Sequence, residues 1–160
     1  SHPCNNVMTD DEAVGWKQTL AELDRLTTEY QTEGWDTVAV QAGHTATLAP
    51  SEGEFETPEL VYTVPDDSAD ELHTMLSAGE PTRFTVYLDE TQSPRYHILE
   101  LANPEQSLVA LVASAVDQSQ VGGFGETARE AGRVYTRLRR LDGTGVGAFR
   151  HDDPTVFFPD

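Results

Sequence analysis

RYHILELANPEQSLVALV, residues 95–112, holds two strands and the turn between them. Arg95 through Leu101 reads as the first strand, and Pro94 stands at its start, where a missing N–H is tolerated. Asn103-Pro104 supplies the turn. Leu108 through Val112 is then apolar at every position. Successive side chains of a strand point to opposite faces, so this run is covered on both sides and belongs in the middle of a sheet. Upstream, Phe84, Val86 and Leu88 share one face of a further strand. Three consecutive strands thus form a meander.

Outward from this centre the other elements follow. Trp16, Leu20, Leu23, Thr27 and Tyr30 recur at three- and four-residue spacing with Leu26 beside them, and carboxylates fill the opposite side. That predicts an amphipathic helix over residues 10–33, opened by the capping box Thr9-Asp10-Asp11-Glu12 and stopped by Gly34 at C′. Residues 35–42 alternate as a strand through Val38 and Val40, whereas 43–58 have little apolar content and read as a long acidic loop. Leu60 through Val64 is another strand, closed by Pro65. Asp66 or Asp67 caps a short helix carrying Leu72, Met75 and Leu76, which ends at Gly79. At the C-terminus a helix ends near Ala131, and a hairpin over 133–141 and 145–151 turns at Leu141-Asp142-Gly143-Thr144. For 133–141 a helical period through Ala128, Ala131, Tyr135 and Leu138 competes with strand alternation; Gly132 favours the strand. The expectation is one α+β domain over residues 8–160, with helices on one face of a mostly antiparallel sheet in two layers.

A chain of 160 residues is long enough to bury a core without disulfides. Cys4 is the single cysteine, which excludes an internal disulfide and a cysteine-based zinc site. Residues 1–7 precede Met8 and read as a cloning remnant or a disordered N-terminus. No apolar run has signal-peptide or membrane length, so a cytoplasmic protein without membrane contact is expected. The charge is the strongest signal: 28 Asp plus Glu against 10 Lys plus Arg, a net of -18. A small domain normally carries roughly 2–8 units of either sign. The acidic residues are dispersed and not gathered in a tail. Lys17 is the only lysine and Ile98 the only isoleucine. This pattern resembles that of proteins from salt-in halophilic archaea, and a coat of carboxylates suits concentrated salt, where self-repulsion is screened.

Against that background the C-terminal end stands out. Residues 1–128 hold 4 basic and 23 acidic residues, and residues 129–160 hold 6 and 5. Arg133, Tyr135, Arg137 and Arg139 fall on one face of the expected hairpin, with Arg150 on the return strand. A guanidinium binds carboxylate or phosphate bidentately and stacks on aromatic rings, so these five residues form a candidate site for an acidic protein or anionic ligand. Ion pairing with carboxylates of the same chain is the alternative. Generic nucleic-acid coating is disfavoured by the overall charge, while a specific RNA or nucleotide contact through the arginines stays open.

Chemistry elsewhere is sparse. His151, Asp152 and a converging His97 offer a weak metal site, but adjacent strand residues face opposite ways, and a turn at Asp153-Pro154 with Phe157 and Phe158 docked on the core is the competing reading. Glu52, Glu54, Glu56 and Glu59 read as a solvated acidic loop. Gly122-Gly123-Phe124-Gly125 lacks the Lys-Ser/Thr of a phosphate loop. His44 and His73 have no adjacent nucleophile, and no serine has a nucleophile-elbow context. No cofactor is expected.

Tyr135-Thr136, Leu141-Asp142-Gly143-Thr144, Phe149, His151-Asp152-Asp153-Pro154 and Phe157-Phe158-Pro159-Asp160 resemble the C-terminal signature of an uncharacterised haloarchaeal domain family. Gly15-Trp16 and Glu33-Gly34-Trp35-Asp36 are similar too. The resemblance runs from Met8 to the end; it implies a salt-in cytoplasm and brings no activity. The leading expectation is therefore a non-catalytic interaction domain working through its arginine face, with a homodimer through the sheet or first helix also compatible. The alternative is a ligand-binding or metal-dependent enzyme with a pocket between the sheet and the 43–58 loop.

Overall fold

The computed structural model describes residues 10–53, 56–88 and 95–159. The readings for residues 1–7, Cys4, the Thr9 cap, Glu54 and Pro94 lie outside them. α1 (Asp10–Thr32) is followed by β1 (Asp36–Gln41), β2 (His44–Leu48), β3 (Glu59–Thr63) and α2 (Asp66–Ala78). Then come β4 (Arg83–Leu88), β5 (Tyr96–Asn103), β6 (Leu108–Ala115), α3 (Gln118–Ala131), β7 (Val134–Arg139) and β8 (Gly145–His151). A 3-10 turn, Pro154–Val156, follows β8.

The strands divide into two four-stranded sheets, ordered β1-β6-β5-β4 and β2-β3-β7-β8. In each sheet one pair is parallel, β1 with β6 and β3 with β7, and the others are antiparallel. The α+β class and the predominance of antiparallel pairing match the sequence expectation. The meander β4-β5-β6 is present, with Leu99 opposite Val112, and β6 lies inside its sheet.

Two sheets exist where one was expected because β5 and β6 have two apolar faces to satisfy. On one face Ile98, Ala102, Val109, Leu111 and Ala113 pack beneath Leu23 and Leu26 of α1, with Trp16, Leu20 and Tyr30 around them. On the other, Leu99, Leu101, Ala110 and Val112 meet Leu60, Tyr62, Val134 and Leu138 of the second sheet, joined by Leu72 and Met75 of α2 and Phe124 and Ala128 of α3. Full burial of a leucine side chain contributes about 1.5–3 kcal/mol, so both interfaces hold the molecule together.

Three local expectations change. Part of the anticipated 43–58 loop is β2, an edge strand whose alternation is carried by threonines, with Thr45 Oγ1 hydrogen-bonded to Ser114 Oγ at 2.8 Å across the sheets. α2 begins at Asp66 with Pro65 as its N-cap and no side-chain cap; Asp66 and Asp67 sit in the first turn, where their charge favours the helix dipole. Gly79 ends α2 in extended backbone instead of a left-handed cap. By contrast, Gly34, Gly132 and Gly143 all have positive φ and terminate α1, α3 and the β7–β8 turn as the sequence implies. Gly132 resolves the competition over residues 133–141 in favour of a strand.

Candidate functional site

Tyr135, Arg137 and Arg139 alternate along β7 on the face turned away from the core, opposite the inward Val134, Thr136 and Leu138. Arg150 of β8 stands directly across from Tyr135, and exposed Arg133 precedes the strand. The parallel β3 brings Glu59 alongside Tyr135 and Thr63 alongside Arg139. This pairing joins segments far apart in sequence, and the consequences differ for each arginine. Arg137 is buried, its Nε donating to Glu59 Oε1 at 3.0 Å, and the Glu59 side chain is 0% exposed. The backbone of Gly53 presses on that carboxylate so closely that a side chain at 53 would run into it. Glu59 therefore leaves the solvated acidic series in which the sequence put it. Arg139 is half-buried, and its Nε donates to Thr63 Oγ1 at 2.9 Å. Arg150 pairs with Asp152 at 2.8 Å, both well exposed. Of the other C-terminal arginines, Arg140 pairs with Asp70 and Arg129 donates to the Phe158 carbonyl. Internal ion pairing, the alternative, thus describes several of these arginines, while Arg133 and Arg150 are exposed and Tyr135 and Arg139 partly exposed on the outer face.

His97, His151 and Asp152 do not converge. His97 is buried with Nε2 2.8 Å from Tyr62 Oη, and His151 is buried with Nε2 2.7 Å from Thr136 Oγ1. Phe157 lies between the two rings, edge-on to each. Burial lowers the His151 pKa from 6.5 to about 4, partly offset by the neighbouring Asp152 charge, and raises that of Tyr62. Asp152 points to solvent. Among the described residues no group of three His, Cys, Asp or Glu is placed to hold a metal. A 390 Å³ cavity does lie between α3 and the segment after β2, lined by Thr47, Ala49, Glu52, Gln120 and Phe124 among others. None of the three candidate groups reaches it. Phe157 and Phe158 are buried, and Asp153 caps the 3-10 turn by accepting from Thr155 N, so the tail docks on the core.

A cluster under α1 was missed. Glu100 of β5 is buried at 1% exposure on the face that α1 covers. Its Oε1 accepts from Tyr30 Oη at 2.8 Å and Tyr87 Oη at 3.2 Å, and Arg83 Nη2 stands 3.6 Å from Oε2. Arg83 also donates to Tyr30 Oη at 3.0 Å and lies over the Trp35 ring, 5.9 Å from its centroid. Burial and the Glu100 carboxylate push the Tyr30 and Tyr87 pKa values up to about 12. The available signal was one carboxylate inside Ile98-Leu99-Glu100-Leu101-Ala102, a run otherwise apolar on both faces.

The architecture defines a small α+β domain of two facing mixed sheets, with an arginine-bearing strand pair on one side and a capped carboxylate on the other. Among the described residues no helix is long and apolar enough to cross a membrane. The chain belongs to the family of unknown function DUF7529, whose model matches residues 5–159. No curated protein and no solved structure matches it. A family without an assigned activity is what the C-terminal signature implied.

Proposed function

We propose that this chain is a non-catalytic interaction domain of a salt-rich, haloarchaeal-type cytoplasm, which holds an acidic protein segment on the outer face of β7 and β8. The observation that carries this reading is the outer face itself. The outer face of the first sheet is packed under α1. On the second sheet Glu59 and Val61 of β3 are fully buried, while Arg133 and Arg150 are exposed and Tyr135 and Arg139 partly so, which leaves the β7–β8 side of that face open to a partner. Cationic and aromatic groups concentrated there, on a chain of net charge -18, favour a carboxylate-bearing partner. Arginine and tyrosine are also the residue types that dominate binding energy at interfaces. Arg137 acts here as a positioning residue: its bond to Glu59 holds β7 against β3, and Arg133, Arg139 and Arg150 make the contacts.

The test uses a glutamate-rich octapeptide in 2 M KCl, where long-range repulsion is screened and contact pairs remain. The wild-type chain should bind it, with amide NMR shifts concentrated on β7 and β8. Replacing Arg133, Arg139 and Arg150 together by Ser, with Arg137 kept, should weaken binding at least tenfold and leave the melting temperature within a few degrees. Peptide shifts that avoid β7 and β8, or an unchanged affinity in the triple variant, would refute the reading.

A further inference from the structure

On the opposite side of the molecule, the Glu100 cluster has the composition of a receptor for a positive charge. Tyr30 and Trp35 lie with ring centroids 4.7 Å apart at 54°. With Tyr87, Leu26, Glu29, Glu33 and Arg83 they line a cavity of 230 Å³. Glu100 does not line the cavity itself; its buried carboxylate lies behind, reached through the lining residues Tyr30 and Tyr87, which bond to it, and Arg83, which stands beside it. Both tyrosine hydroxyls act on Oε1, so Oε2 is the oxygen turned to the one cation of the cluster, Arg83, at 3.6 Å. That separation is beyond a normal hydrogen bond. The Arg83 side chain is 48% exposed and starts an edge strand, so the guanidinium has solvent to withdraw into, whereas the Glu100 side chain is 1% exposed and stays in place. The cavity remains beside it. An arginine placed purely to neutralise Glu100 would close on both oxygens and fill that space.

We propose that Tyr30, Trp35, Tyr87 and Glu100 bind a small organic cation, a guanidinium or alkylated ammonium group, and that Arg83 occupies the site in the free chain and gives way to the ligand. Aromatic faces attract weakly hydrated cations of this kind, most strongly where the contact is desolvated. Hard metal ions instead need several convergent oxygens, and here one buried carboxylate already accepts two tyrosine bonds. Ring faces and a buried carboxylate also keep their attraction in concentrated salt, which screens exposed charge pairs. A second cavity of 460 Å³ shares Tyr87 and runs along α1, lined by Ala21, Leu88 and Ile98 together with Gln18, Thr19, Glu22 and Arg25. This site is independent of the β7–β8 face, so either proposal can fail alone.

The experiment titrates the full chain in 2 M KCl with methylguanidinium chloride and, separately, tetramethylammonium chloride, against matched additions of KCl. Binding is read by calorimetry and located by the indole N–H signals of Trp16 and Trp35. A saturable shift of Trp35 without one of Trp16 is expected for at least one cation, and which one binds defines the head group. Arg83→Ala should bind at least tenfold more tightly because the internal competitor is gone. Glu100→Gln should bind at least tenfold more weakly; if that variant does not fold, Trp35→Leu serves, with the same loss expected by calorimetry. No saturable binding of either cation to wild type and Arg83→Ala, or equal affinity of those two chains, overturns the proposal. So does undiminished binding by the loss variant.

Discussion

His151 sits edge-on to Phe84 and Phe157 with Nε2 against Thr136 Oγ1, in surroundings that oppose a charge. Its pKa in the fold is about 4 against an ordinary 6.5. The unfolded chain therefore takes up a proton near pH 6.5 while the folded chain does not until about pH 4, so stability falls as pH drops through this window. Between pH 7 and pH 5 the loss is about 2 kcal/mol, at roughly 1.36 kcal/mol per unit. His151→Gln removes the titration. Urea unfolding of both chains in the same molar KCl should show the variant losing about 2 kcal/mol less over that interval; parallel pH profiles would refute the assignment. That His151 is buried was within reach of the sequence, since Phe157 and Phe158 follow it closely. That its ring faces Thr136, not Asp152 or a metal, depends on the hairpin register. Glu100 is a similar case. Its singularity is visible in the strand, but its partner Tyr30 lies 70 residues away, and no local pattern joins them.

At the scale of elements, the parallel β3–β7 pair ties the two halves of the chain together, and Glu59 with Arg137 is its polar fastening. Removing one member of a buried ion pair strands the other charge, which costs about 3–5 kcal/mol. Arg137→Ala should lower stability by that amount, measured by denaturant unfolding. Replacing both residues by Met keeps volume and removes both charges, so the Glu59→Met, Arg137→Met chain should recover most of the loss. A double variant as unstable as the single one would show that the pair acts through contacts other than charge. The arginine alternation along 133–139 was legible because a hairpin has a period of two and Gly132 stops the helix before it. The strand that receives it was legible as well. Their pairing was not, because parallel neighbours need no common turn. β2 was illegible for a different reason: its inward positions are threonines, which suit strands yet leave no apolar stripe.

At the scale of the whole molecule, the carboxylates remain a dispersed coat. Asp24, Glu33, Asp66, Asp67, Glu71, Glu105, Glu126 and Asp142 are all exposed, on helices, loops and turns. Compaction brings these like charges together, and salt relieves the resulting repulsion by shortening its range from about 10 Å at 0.1 M to about 3 Å at 1 M. The melting temperature should therefore rise by roughly 10 °C or more between 0.1 and 2 M KCl, corresponding to a few kcal/mol. A melting point indifferent to salt would contradict this. Composition alone determined the acidic surface, because charge is a sum over residues and needs no geometry. Periodicity determined the helices, the meander and the C-terminal hairpin, because each is a local pattern read against neighbours a few positions away. Only the tertiary structure decided that the strands separate into two sheets, which arginine of β7 is buried against Glu59, and that Glu100 lies beneath two tyrosines. These rest on contacts between distant segments, whose free energy arises from mutual burial and is absent from any one of them.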